Sequence, residues 1–166
     1  MGWLLLVIAL LFVFIFLKQK PSEDLSRGKR EILPYRKREY LLSKDDRFLY
    51  DILTQLCQNR GYKLFAKVRM SDVVYLPKGT ENQQSYWNKI QGKSVDFLVC
   101  DGQYLRPLFV IELGSSTSSK NEFVEKALTD AGLLFVRIPQ QQVNSKENIF
   151  NLLSPVFSRV EAAASK

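Results

Sequence analysis

Two carboxylates stand inside otherwise apolar runs of this 166-residue chain. Asp96 lies in SVDFLVC and Glu112 in LFVIEL, and the stretch from Ser94 to Leu113 reads as two strands joined by a short turn at Asp101-Gly102. At such a turn a short polar side chain followed by glycine accommodates positive φ. A carboxylate among β-branched and aromatic neighbours is costly unless it is paired or reaches water. Two placements satisfy that demand. Either the acids share a divalent cation such as Mg²⁺, which takes oxygen ligands and supplies hydrolytic chemistry, or they face solvent from a half-buried sheet.

Other chemistries are excluded by composition. The chain has no histidine, so His-dependent zinc sites, His-based triads and His-Asn nuclease sites are absent. Its two cysteines, Cys57 and Cys100, have no metal-ligand spacing and read as small core residues. Net charge is +7, which favours anionic partners such as nucleic acid or acidic lipid. Eight Lys/Arg against four acids precede Tyr40, so more than half of that excess lies beside the N-terminus.

The elements that must position the acids follow from periodicity. Gly2 to Leu17 (GWLLLVIALLFVFIFL) carries no charge. As a helix it spans roughly 25 Å, slightly short of a hydrocarbon core, and Trp3, Lys18 and Lys20 are placed to make up the difference at the interfaces. With the basic residues all on its C-terminal side, the expectation is one transmembrane helix over 1–18, N-terminus outside and the remainder in the cytoplasm. The alternative of a cleaved signal peptide lacks a basic leader and a small-residue cleavage site. Residues 19–40 read as a basic linker, 41–160 as the folded domain and 161–166 as a tail.

Within the domain, Leu49, Ile52, Leu53 and Leu56 give helical spacing over Leu42 to Gly61. Ser43 and Asp46 fit a capping box and Gly61 a C-terminal stop. Lys63 to Met70 reads as a strand, Ser71-Asp72 as a turn or short helix, and Tyr75 to Gln91 as a long loop with a helical turn at Tyr86 to Ile90. After the hairpin come a polar loop (Gly114 to Ser119), a helix (Lys120 to Ala131), a buried strand (Leu133 to Pro139), and a helix over Asn148 to Val160 interrupted or kinked by Pro155. The strand–helix–strand unit should be a right-handed parallel crossover.

The blocks LLSKDDRFLY, KVRMSDVV, GKSVDFLVCD, LRPLFVIEL and EKALTDAGLLFVRIP, in this order, resemble the bacterial family known as domain of unknown function 2726, itself similar to the PD-(D/E)XK nuclease-like superfamily. The resemblance covers Leu41 to Gln140. It implies a restriction-endonuclease-like three-layer α/β core: helix, three-strand meander, helix, strand. It also implies a Mg²⁺ site in which Asp96 matches the hairpin acid and Glu112 the acid of the second strand. Asp46 falls where the family carries an acid on the first helix, and serves equally as the capping residue. Asp72 matches a recurrent Asp, without a role. Lys93 sits where the family tends to carry a base. The lysine expected two residues after the Glu is missing, because Leu113 and Gly114 follow Glu112. Lys93, Lys120 and Lys126 are the candidates to replace it.

The function so implied is a membrane-anchored, nucleic-acid-associated nuclease-like domain at the bacterial inner membrane with a thinned active site. The alternative is an inactive relative that binds nucleic acid or a protein there. Lys63, Lys67, Arg69, Lys89 and Lys93 with Tyr86 and Trp87 form a candidate phosphate and stacking surface, to which Lys120 would add; DNA and RNA are both open.

Overall fold

A computed structural model describes residues 3, 10–14, 33–114 and 119–164. Contacts divide the chain into two units, Met1–Glu39 and Tyr40–Lys166. In the first, Trp3 and residues 10–14 are helical and exposed. Among the described residues no helix is long and apolar enough to cross a membrane; most of the expected span over 1–18, and of the linker over 19–40, lies outside the described residues.

In the second unit, helix α1 (Lys44–Gln58) starts where Ser43 Oγ accepts the Asp46 amide at 3.1 Å. It ends at Gln58, and just beyond it Gly61, at φ +72°, lets the Tyr62 amide reach back to the Cys57 carbonyl. Its stripe Leu49, Ile52, Leu53, Leu56 and Cys57 is buried. The remaining elements are β1 (Lys63–Arg69), the one-turn helix α2 (Met70–Val73), α3 (Gln83–Ile90), β2 (Ser94–Cys100), β3 (Pro107–Leu113), α4 (Ser119–Asp130), β4 (Leu134–Ile138), a 3₁₀ turn (Gln140–Gln142) and α5 (Lys146–Ala164). Helix α3 is longer than the turn expected there, and α5 continues through Pro155 instead of breaking at it.

The four strands lie in sequence order, with β1–β2 and β2–β3 antiparallel and β3–β4 parallel through α4. The chain is therefore mixed α/β, with helices against both faces of the sheet. Alternation along the strands sorts the core. Phe97, Val99, Phe109 and Ile111 meet α1 and α5 on one face, and Leu98, Cys100 and Val110 meet Met70, Ile90, Val124 and Leu128 on the other. Phe157 pins α5 down: it packs edge-on to Phe109 at 5.2 Å and stacks on Tyr62 at 5.9 Å.

The Asp101-Gly102 turn forms differently from expectation. Positive φ falls on Leu105, at +57°. Gly102 is required because a Cβ there would run into the Gly61 carbonyl. Asp101 organises the turn instead, its carboxylate accepting the amides of Tyr104, Arg106 and Gln103. Those backbone donors, Tyr104 foremost, hold its carboxyl below the usual range.

Candidate functional site

The register of the sheet builds the site. The β1–β2 ladder runs from Lys63↔Cys100 to Ala66↔Phe97 and resumes at Val68↔Val95. Between these pairs Lys67 and Asp96 stand opposite each other, outside the ladder. Lys67 has φ +54°, a conformation that costs a non-glycine residue on the order of 1 kcal/mol. Alternation reverses there. Leu64 and Ala66 pack into the α1/α5 core, whereas Val68, of the same parity, packs into the other. In β2 the same reversal separates Val95 from Phe97.

The β2–β3 ladder stops at the same level, at Phe97↔Ile111. One step further, side chains replace the backbone bonds. The Asp96 amide donates to Glu112 Oε1 at 3.3 Å, and the Leu113 amide donates to Asp96 Oδ2 at 2.9 Å. Lys67, Asp96 and Glu112 thus form one row across three strands, and β4 continues it with Arg137 opposite Glu112. The Arg137 guanidinium is directed to Glu125 of α4, 3.0 Å away.

Lys67 closes the row from the α1 side. Its Nζ lies 2.6 Å from Asp96 Oδ1 and 3.1 Å from Asp46 Oδ2. Asp46 and Asp96 are largely buried there, with 14% and 19% of their side-chain surface exposed, against 32% for Lys67. The two readings of Asp46 resolve along its own atoms: its amide completes the cap on Ser43, and its carboxylate turns to Lys67. Burial opposes the charge on Lys67, yet the hydrogen bonds to Asp96 and Asp46 outweigh it and raise the ammonium above its usual range.

One ammonium faces three carboxyls, and Glu112 bears the imbalance. Burial first, and the charge of Asp96 second, push its carboxyl up to about 7. The donor set is oxygen only, matching Mg²⁺. Among the described residues no group of three or more His, Cys, Asp or Glu stands in metal-holding geometry. Protein ligation would rest on Asp96 and Glu112, with water completing the shell as Mg²⁺ prefers. On that donor chemistry the residues fit the ion.

The structure brings Asp46, Asp96 and Glu112 together and directs Lys93 elsewhere. Lys93 Nζ lies 6.0 Å from the centre of the Phe123 ring, while its main chain ties β2 to Met70. Lys126 pairs with Asp130 within α4, and Asp72 pairs with Arg69. The side chain of Lys120 lies outside the described residues. Lys89 sits over Tyr86 at 5.4 Å and Phe123 at 5.8 Å, with Trp87 partly exposed on the same helix. The residue that sequence reasoning left out of the acidic site is Lys67. In KLFAKVRM it looks like one more solvent-facing cation between apolar even positions, in step with Lys63 and Arg69. The available signal was register, since pairing β1 with β2 sets an in-strand cation opposite an in-strand acid.

No curated protein and no solved structure matches the chain. The profile of the family described as "Protein of unknown function (DUF2726)" matches residues 38–156, well over half of the length. The chain therefore belongs to the DUF2726 family, and the region that defines membership contains every member of the Asp46, Lys67, Asp96 and Glu112 group.

Proposed function

We propose that this chain is a divalent-cation-dependent phosphodiester hydrolase acting on nucleic acid, with a PD-(D/E)XK-like site and a restriction-endonuclease-like core. Its apolar N-terminus would hold it at the bacterial inner membrane with the catalytic unit in the cytoplasm. The observation that carries this reading is the convergence of Asp96 and Glu112 at the point where the sheet ladder opens, with Glu112 left short of a counter-charge. In the reading, Asp96 and Glu112 hold Mg²⁺. The ion would lower the pKa of a bound water and neutralise charge on the phosphoryl group. Asp46 holds Lys67, Lys67 fixes the Asp96 carboxylate, and the Leu113 amide fixes its other oxygen. Lys89, Lys93 and Trp87, gathered about Tyr86 and Phe123, would meet the nucleic acid through phosphate contact and base stacking.

The test is incubation of the full chain in detergent with single- and double-stranded DNA and RNA, with Mg²⁺ or Mn²⁺ and with chelator. Asp96→Asn, which retains an oxygen for the Leu113 amide, is the matched control. Metal-dependent cleavage that this variant loses while still folded is the expected result. Absence of cleavage of all four substrates by the unmodified chain overturns the reading.

One observation favours a second reading, a binding module without hydrolysis. Asp96 Oδ1 and Asp46 are already paired with Lys67. Retention of nucleic acid without cleavage, lost in a Lys89→Glu/Lys93→Glu variant, would support it.

A further inference from the structure

The oxygens of Asp96 are both engaged. Oδ2 accepts the Leu113 amide, a bond that also closes the β2–β3 strand pair. Oδ1 accepts Lys67 Nζ at 2.6 Å. A cation coordinated by Asp96 and Glu112 must therefore approach the oxygen on which the ammonium rests. Lys67 is held there firmly: the backbone is turned to φ +54° at that residue alone in β1, and Asp46 grips the ammonium from the other side. Resting the ammonium on these acids offsets part of the cost of burying them.

We propose that Lys67 is a tethered cation that competes with the divalent ion for Asp96, so that the site stays closed to metal until Lys67 is drawn off. This deepens the hydrolase reading and rests on it. Anionic substrate is the chemistry suited to release it. A phosphodiester entering the site offers the ammonium a new partner and frees Asp96 Oδ1. Metal and nucleic acid would then bind with positive coupling, each raising the affinity for the other by the same factor.

The probe is Mn²⁺, followed by electron paramagnetic resonance of the free ion on the full chain in detergent. The unmodified chain should bind weakly. Lys67→Met, which removes the charge and keeps the length, should bind at least about tenfold more tightly, because a unit charge a few ångströms from the ion is gone. Lys67→Arg should stay weak. Asp96→Asn in the Lys67→Met background should abolish the gain. Equal or weaker Mn²⁺ binding by a folded Lys67→Met variant overturns the competition.

A second measurement needs no variant. Amine labelling of Lys67, read by mass spectrometry, should rise on addition of Mn²⁺ while Lys89 labelling stays level. Unchanged Lys67 labelling at saturating Mn²⁺ overturns the proposal. The failures are separable. If Mn²⁺ binds the unmodified and Lys67→Met chains alike and Asp96→Asn abolishes both, the competition fails and the metal site stands. If neither chain binds Mn²⁺, the hydrolase reading fails with it.

Discussion

Glu112 carries the electrostatic strain of the site, and the sign of its effect on stability can be worked out. Its carboxyl titrates near 7 in the folded chain against an ordinary 4.5. Between those values the folded chain holds a proton that the unfolded chain has released. Folding is therefore favoured most at the acidic end, and stability falls as pH rises from about 4.5 to about 7, then levels. Thermal melts in chelator at several pH values should show this decline, and Glu112→Gln should flatten it. Asp96 makes a different demand. Asp96→Ala leaves the Leu113 amide without its acceptor and Lys67 with Asp46 alone, and should cost about 1–3 kcal/mol, whereas Asp96→Asn should cost less, as measured by urea unfolding. The acids themselves were legible in the sequence, because a charge inside an apolar strand is conspicuous. Lys67 was not. Its role depends on a reversal of alternation at φ +54°, and nothing in KLFAKVRM distinguishes that from an ordinary two-residue period.

At the scale of elements, periodicity read the buried faces well and the boundaries less well. The stripe of α1, the hairpin, the α4 crossover and β4 all follow from apolar spacing, since these segments bury one side or both against the sheet. Helix α3 was harder to see. Of its residues only Ile90 is buried, so it shows no apolar stripe. Pro155 does not interrupt α5, because Leu153, Phe157 and Val160 around it are anchored in the core. Phe157→Ala should be among the most damaging single changes, by about 3–5 kcal/mol, since it removes both the Phe109 and the Tyr62 ring contacts. Ser43→Ala should cost about 1 kcal/mol through loss of the α1 cap, and should also loosen Asp46 beside Lys67.

For the whole molecule, the uneven charge and the apolar start bear on where the domain works. The uncharged run from Gly2 to Leu17 is followed by the basic stretch that precedes Tyr40. The expectation is that the full chain sediments with bacterial membranes and resists alkaline extraction, with Tyr40–Lys166 accessible to protease only from the cytoplasmic side. Recovery of the full chain in the soluble fraction would remove the tether from the proposal. A nuclease held at a surface samples only the nucleic acid that reaches that surface, so location would contribute to its selectivity as much as any contact with bases.

The gap in the ladder at Lys67, Asp96 and Glu112 has a consequence for motion. In most sheets the central rows are the last to exchange amide hydrogens with solvent. Here the row at which the β2–β3 ladder ends is closed by carboxylates instead of carbonyls. The Asp96 and Leu113 amides should therefore exchange faster than those of Phe97 and Ile111 beside them, and their rates should respond to whichever cation sits on the acids. The sheet would carry a seam whose tightness reports the occupancy of the site, readable by mass spectrometry from the backbone alone.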